Sequence, residues 1–220
     1  MNKKFLSIIA GIALFSSSAF AEEKSGFFIG ADAAYVQTKV QGNLKHNQTG
    51  AVFNGDLSSS IPILGLKAGY RFNDLHRLYL AYNYSDEFSD IIRTPKLKIE
   101  SDFSTHKFLM GYDFTPKIFE RVRAVAGGYL GYAKTNLDLK TSLLSLSQKF
   151  DGFVYGVKIG AIFELGASNE IEAGFKVEKI EYNTRDFYQK AIGSNLYDPR
   201  QTNYGLYLGY TYKFYEVFYR

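Results

Sequence analysis

Three features of the sequence predict an all-β chain, folded as an eight-stranded antiparallel up-and-down transmembrane β-barrel. First, residues 203–214 alternate strictly, with an unbroken apolar face opposite a small or polar one. Second, a glycine-led ending that finishes in Phe recurs at Gly69, Gly111, Gly160 and Gly209, at intervals of 42, 49 and 49 residues, each long enough for one hairpin and its loop. Third, long and short connections alternate, as expected for long extracellular loops and short periplasmic turns.

Residues 1–21 have the three parts of a secretory signal peptide. Lys3 and Lys4 supply the positive start, residues 5–15 are apolar, and Ala19-Phe20-Ala21 is a cleavage site of A-x-A type. The apolar part is too short to span a bilayer as a helix. We therefore expect export, cleavage and a mature chain of one domain, residues 22–220.

The charge of the chain is nearly balanced once this segment is removed. The sequence has 26 Lys and Arg against 22 Asp and Glu, a net charge of +4, and two of the lysines lie in the signal peptide. The remaining +2 does not predict a nucleic-acid partner. With 0 Cys, an exported domain must be held together without disulfides, as a closed barrel is. Cysteine is absent and the 3 His are scattered, so no metal or other cofactor is predicted.

The alternation places eight strands along the mature chain. Their predicted bounds are residues 26–36, 61–72, 77–85, 105–114, 122–135, 152–164, 170–180 and 203–214. The fifth strand is the least certain in phase, because Ala and Gly occupy both of its faces around Tyr129 and Tyr132. Long polar loops are expected at residues 38–60, 86–101 and 181–202, and between strands five and six a hairpin that continues above the membrane is expected around residues 136–149.

Aromatic residues gather near the strand ends, as they do at the two interfaces of a membrane. We predict that they form an aromatic girdle. Its predicted members are Phe72, Tyr112, Phe114, Phe163 and Tyr210 toward the periplasm, and Tyr35, Tyr84, Tyr132, Tyr155 and Tyr204 toward the outside.

A soluble, lipocalin-like barrel with its apolar face inward has the same periodicity. Three features favour the membrane: aromatics at strand ends, a polar face rich in Gly, and acids and bases mixed on that polar face. The polar face is therefore predicted to line the lumen as a paired network. Its predicted members are Asp32, Lys67, Arg71, Asn83, Lys107, Asp113, Arg123, Lys158, Glu164, Glu172, Lys176, Glu178 and Lys213.

The last strand also carries a short motif in Gly209, Tyr212 and Phe214. Glycine followed by these spaced aromatics resembles the C-terminal signal read by the outer-membrane barrel assembly machinery, and residues 26–214 resemble the small eight-stranded outer-membrane proteins of Gram-negative bacteria, the OmpA-barrel, OmpX and OmpW group. The resemblance implies a cell outer-membrane location and that machinery as a partner. Two departures stand out: six residues follow Phe214, so Phe218 or Tyr219 could carry the signal instead, and no room remains for a peptidoglycan-binding domain.

Several functions are open to such a barrel. The first expectation is a structural or adhesin-like role, in which the loops contact a host or envelope ligand, while their bases contact outer-membrane lipid and lipopolysaccharide. The alternative is a narrow, porin-like channel, suggested by the excess of bases in the lumen. A lipid-modifying enzyme is less favoured. Ser104 and His106 share a strand face that is predicted to point to lipid, where a pair acting on lipid is conceivable, but a rim histidine beside a loop serine usually has no catalytic role. The chain is thus predicted to be non-enzymatic.

Overall fold

Nine strand segments account for most of the described chain. The structure, a computed structural model, describes residues 25–46, 52–73, 75–94, 97–141, 145–183 and 194–214. The strands are β1 (Gly26–His46), β2 (Val52–Phe72), β3 (His76–Thr94), β4 (Leu97–Phe114), β5 (Lys117–Phe119), β6 (Val122–Thr141), β7 (Ser145–Glu164), β8 (Asn169–Tyr182) and β9 (Ser194–Lys213). β5 is a three-residue segment in the turn between β4 and β6, and the other eight strands form the wall. The predicted signal peptide, residues 1–21, and residues 215–220 lie outside the described residues.

The eight long strands close into an antiparallel barrel. Each pairs with its neighbours in sequence, β4 pairs with β6 across the short turn, and β1 pairs with β9 to close the sheet. The strands are staggered around the barrel. If one starts at Gly30 on β1 and steps from each residue to its partner on the next strand, one full turn ends at Val40 on β1, ten residues further along. A stagger of this size requires strongly tilted strands, about 35–45° from the barrel axis. The predicted fold class is confirmed.

The alternation sets which side chains face out and which face in. Large apolar side chains cover the outside, among them Phe27 at 59% and Leu206 at 68% exposure, whereas charged side chains such as Arg77 and Lys107 are 1% and 0% exposed inside. A lipocalin-like barrel requires the opposite arrangement, so the soluble alternative is wrong. Among the described residues, no helix is long and apolar enough to cross a membrane.

The predicted strand bounds are too short at the extracellular end. β1 continues to His46 and β2 begins at Val52, so the predicted loop at residues 38–60 is mostly a paired hairpin. β3 and β4 likewise pair through most of residues 86–101, and β9 begins at Ser194. Polar composition suggested loops, but a strand that rises above the membrane has water on its outer face and needs no apolar ribbon there. The predicted hairpin at residues 136–149 is confirmed, with turn residues 142–144 outside the description.

The phase of the fifth predicted strand, β6, is decided by its neighbours. Tyr129 and Val125 point inward and are buried, while Leu130 and Tyr132 point outward. The partner residues on β4 and β7 fix this choice, because a shift of one residue would exchange every side chain between lumen and lipid.

The periplasmic turns are short, as predicted. Between β2 and β3, Asn73 has a left-handed backbone (φ 51°), a conformation that Asn tolerates better than most residues. Its Oδ1 accepts a hydrogen bond from the Leu75 amide at 3.0 Å, and its own amide donates to Ser25 Oγ at 3.1 Å. The turn therefore also holds the start of β1.

Candidate functional site

Glu172, at the periplasmic half of the lumen, is the centre of a buried ionic network. Its carboxylate lies 2.8 Å from Arg77 Nη2, 2.9 Å from Lys158 Nζ and 3.4 Å from Lys67 Nζ. The Tyr207 hydroxyl donates a further hydrogen bond at 2.9 Å. Four strands, β2, β3, β7 and β9, are thus tied to β8 through one carboxylate.

A second carboxylate on the same strand face, Glu170, extends this network toward the periplasm. It lies 2.9 Å from Arg71 Nη2 and 3.0 Å from Lys213 Nζ, and 3.7 Å from Arg77 Nη1. Across the barrel, Asp113 accepts from both Arg77 (2.7 Å) and Lys158 (3.1 Å). The cations thus bridge carboxylates on opposite walls, and the lower lumen is filled.

The structure places all of the predicted lumen residues on the inward face of the wall. Arg123 pairs with Glu164 at 2.6 Å, and Lys67 also reaches Asp32 at 3.3 Å. Sequence reasoning missed Arg77 and Glu170, two of the most connected residues of the network. Both lie on the same strand face as a predicted lumen residue: Arg77 shares a face with Asn83, and Glu170 shares a face with Glu172. Each, however, is the first residue of its predicted strand, where it could equally belong to the preceding turn.

Above the ionic network, tyrosines of the lumen lie over glycines of neighbouring strands. Tyr79 covers Gly111, and Tyr129 covers Gly156. Tyr207 lies over both Gly160 and Gly174: an added Cβ would come within 2.9 Å of its hydroxyl oxygen at Gly160 and within 2.9 Å of a ring carbon at Gly174. The glycines of the polar face thus provide the space into which large side chains fold.

The upper lumen is closed by a mixed layer of polar and apolar side chains. Glu178 accepts hydrogen bonds from Lys107 and, at 3.0 Å, from Asn203, which in turn accepts one from Thr38 at 2.8 Å. Two apolar clusters pack around these groups, one of them formed by Ala34, Val36, Ile61, Ile63 and Tyr207. The other comprises Leu109, Tyr129, Ala133, Val154 and Ile180.

One cation of the lumen differs from the rest. Lys176 is buried, yet among the described side chains no carboxylate lies within ion-pair distance of its ammonium. Its charged neighbours are the acids Glu178 and Asp32 and the bases Lys107 and Lys158, so with Lys176 itself this part of the lumen holds three bases for two acids. The positive excess noticed in the sequence is therefore located near the middle of the barrel.

The predicted girdle residues all point outward. At the lower end, Tyr212 and Phe214 meet edge to face with their ring centroids 4.9 Å apart, and the Phe214 amide donates to the Phe27 carbonyl at 2.8 Å. Gly209, the third residue of the predicted assembly motif, points inward beside Asp32. The motif thus forms the seam at which β9 meets β1.

The upper rim carries charged side chains directly above the outward tyrosines. Lys179 Nζ lies 3.2 Å from Glu181, and the Tyr155 hydroxyl donates to the same carboxylate at 3.0 Å. These two hydrogen bonds, the one from Lys179 first, lower the pKa of the exposed Glu181 carboxyl below its usual value. Lys39 Nζ lies over the Tyr204 ring, 5.7 Å from its centroid.

Ser104 and His106 face outward at this rim, as predicted. The His106 Nδ1 is hydrogen-bonded to the Tyr82 hydroxyl at 2.7 Å, and its ring packs against Tyr84 with centroids 5.1 Å apart. The ring is therefore held by tyrosines of the outer wall.

Comparisons with known proteins agree with this geometry. A family profile described as the outer membrane protein beta-barrel domain matches residues 7–214. Neisserial surface protein A is 19% identical over 87% of this chain and 100% of that chain, with a TM-score of 0.56. Ail of Yersinia pestis is 18% identical over 84% and 99%, with a TM-score of 0.45, and OprG of Pseudomonas aeruginosa is 18% identical over 88% and 98%, with a TM-score of 0.48. No curated protein matches the chain in sequence.

Proposed function

Because the chain belongs to the family of outer membrane proteins with a β-barrel domain, we propose that it is a surface protein that acts through its extracellular hairpins. Membership of this family places the chain in the outer membrane. The barrel then serves as a rigid anchor, and the binding surface lies on the parts that rise above the membrane.

The observation that carries this proposal is the length of the hairpins. β1 runs ten residues beyond Val36 to His46 and remains paired with β2 through Lys45. At about 3.3 Å per residue, the paired arm extends roughly 30 Å along the strand beyond the membrane-spanning part. Residues 86–94 of β3 form a second arm with β4. Ordering these arms costs conformational entropy. A protein that served only as a membrane anchor would not need them.

A shortened hairpin tests the proposal. Gln41 and Asp56 are cross-strand partners, so residues 42–55 can be replaced by Asn-Gly without changing the register below. Vesicles bearing the wild type should be retained on at least one of fibronectin-, laminin- and heparin-coated surfaces, and the shortened variant should not.

The control for this comparison is the heat-dependent gel shift of a closed barrel, which both proteins should show equally. A folded variant that is retained as well as the wild type on every surface would contradict a role for this hairpin. If the wild type is not retained on any of the three surfaces, an adhesin-like role toward these ligands is contradicted.

The narrow channel is the second candidate function. The buried Lys176 favours it, since three bases stand against two acids around this side chain and a local positive excess attracts anions. The packed lumen opposes it, because an eight-stranded wall leaves an interior just wide enough for its own side chains.

A non-enzymatic role fits the rim histidine. For His106 to act as a base toward Ser104, a ring nitrogen must lie within hydrogen-bond reach of the Ser104 hydroxyl, and among the described side chains the hydrogen bond of this ring is to Tyr82. We therefore propose a structural role for this group of tyrosines and histidine on the outer wall.

A further inference from the structure

We propose that the middle of the lumen binds a small inorganic anion such as chloride, held by the ammonium group of Lys176. The site, called the anion site below, consists of Lys176 together with the amide of Asn83, and both lie beside Asp32. It is inside the membrane-spanning wall, so it is independent of the hairpins and of any partner that they contact.

Lys176 is buried without a counter-charge of its own. Its side chain lies on the inward face of β8 and is 7% exposed. The acids near it are Glu178 and Asp32, and neither lies within ion-pair distance. Glu178 is paired with Lys107 at 2.5 Å, and Asp32 is paired with Lys67 at 3.3 Å. A buried charge without a partner is strongly unfavourable, and an anion from solution would supply the missing partner.

The charges of the whole lumen show the same excess. The charged lumen residues that the sequence predicted, with Arg77 and Glu170 added, comprise eight bases and six acids. Seven of the eight bases form an ion pair with a described carboxylate, and Lys176 is the eighth. The positive charge left over is therefore centred on this side chain, where it attracts an anion.

Space for a small ligand remains beside this lysine. Lys107 is sealed at 0% exposure, whereas Lys176 keeps some accessible surface and the inward side chain of Asp32 is 22% exposed. These two side chains therefore border a gap that a water-sized molecule can enter. The gap is narrow, because an eight-stranded wall leaves an interior just wide enough for its own side chains. A monatomic anion fits such a gap, and an organic anion does not.

The Asn83 amide supplies a second group for the ligand. Its oxygen and a carboxylate oxygen of Asp32 both lie against the position that a Cβ would take at Gly65. Among the described groups, this buried amide oxygen has no hydrogen-bond partner. Because a half turn about the last bond of an Asn side chain exchanges its oxygen and its NH2 group, Asn83 can present N–H donors to an anion.

The anion site is closed above and below, so it holds an anion without conducting it. Below it, Glu172 gathers its three cations, and above it Glu178 is hydrogen-bonded to Asn203, which is bonded to Thr38. In the unfolded chain Lys176 is surrounded by water and has no such site. Because the anion binds only the folded protein, it should stabilise the barrel as its concentration rises.

The experiment measures urea unfolding of the barrel in phosphatidylcholine vesicles while chloride replaces gluconate, an anion too large for the site. Ionic strength is held at about 0.3 M, so that the screening of all other charges stays the same. The test variant is Lys176→Met, which keeps the length of the side chain and removes its charge. The matched control is Lys134→Met, which removes an exposed base from the outer face of β6. A second measurement locates bromide by its anomalous scattering in crystals of the wild type grown in bromide.

When chloride reaches about ten times its dissociation constant, the ratio of folded to unfolded wild type should rise about tenfold. The Lys134→Met protein should show the same rise, the Lys176→Met protein should show none, and one bromide should lie beside the Lys176 ammonium. A wild type whose unfolding does not respond to chloride would overturn the proposal, since the lysine would then be accommodated without an anion. An equal response in the wild type and Lys176→Met, or bromide found only on the outside of the barrel, would overturn it as well, because the anion would then bind elsewhere.

Discussion

Glu172 is the residue on which the interior of the barrel depends most. Its side chain is 1% exposed and its carboxylate meets three cations and a tyrosine hydroxyl. A buried ion pair by itself adds little to stability, because the desolvation of both groups opposes their attraction. Removal of one partner has a much larger effect, because it leaves the other charge buried and uncompensated.

Glu172→Gln should therefore lower the free energy of unfolding by about 3–5 kcal/mol, because Arg77 and Lys158 lose a shared counter-charge. The matched control is Glu181→Gln on the same strand, whose carboxylate is exposed at the rim and whose removal should cost less than about 1 kcal/mol. Urea unfolding in phospholipid vesicles, followed by the heat-dependent gel shift, measures both. Equal midpoints for the two variants would show that the network does not stabilise the barrel.

The pairing of tyrosine with glycine gives a second prediction for single residues. In Gly111→Ala the new Cβ would overlap the Tyr79 ring, and we expect a loss of about 1–3 kcal/mol from overpacking. Gly128→Ala is the matched control, since its Cβ would face outward with the nearest atom, the Gly156 carbonyl oxygen, 3.7 Å away. Denaturant midpoints should fall for the first variant and stay near the wild type for the second. Tyr79→Leu should partly restore the first, and an unaffected Gly111→Ala protein would refute the packing explanation.

At the scale of the strand, β9 completes the barrel. Its outward face forms part of the lipid-facing wall, its inward face carries Tyr207 and Lys213 into the lumen, and its edge pairs with β1. Because β9 pairs with both β8 and β1, the sheet is closed only when this strand is in place. We propose that Gly209, Tyr212 and Phe214 on this strand also serve as the signal for assembly.

Phe214→Ala should reduce the amount of folded protein in the outer membrane several-fold, because it removes the terminal aromatic residue of the proposed assembly signal. Phe163→Ala is the matched control: it removes an aromatic of similar exposure from the lower girdle at the end of β7. The boiled and unboiled outer-membrane fractions, compared on a gel, report the folded amount. A Phe214→Ala protein that assembles as well as the Phe163→Ala protein would assign the signal to another aromatic residue.

At the scale of the whole molecule, the barrel inverts the usual arrangement of a soluble protein. Ionic and hydrogen-bonded side chains fill the centre, while the apolar surface faces outward, where hydrocarbon replaces water. The interior charges satisfy one another because the wall holds their strands at fixed stagger. The described lumen is filled at its lower, middle and upper levels, which agrees with the anchor that we propose.

Because the lumen is filled, we expect the protein to show no unitary conductance in planar bilayers. A general porin inserted by the same procedure is the positive control and should conduct. The double variant Lys67→Met and Arg71→Met should behave in the same way. If the wild type conducts and this variant loses anion preference, the channel would replace the anchor as the function of the barrel.

Strand alternation, the spacing of the glycine-aromatic endings and the unequal connections determined the fold, the orientation of the faces and most lumen residues. These features are local, since the lipid and the lumen each select one side of every strand. Tertiary structure was needed for the phase of β6, because small residues lie on both of its faces, and for the lengths of the hairpins, because water imposes no apolar pattern on them. It also decided which charges meet: Arg77 and Glu170 stand at strand ends, and their central place in the network depends on the stagger of all eight strands, which no single segment of sequence encodes.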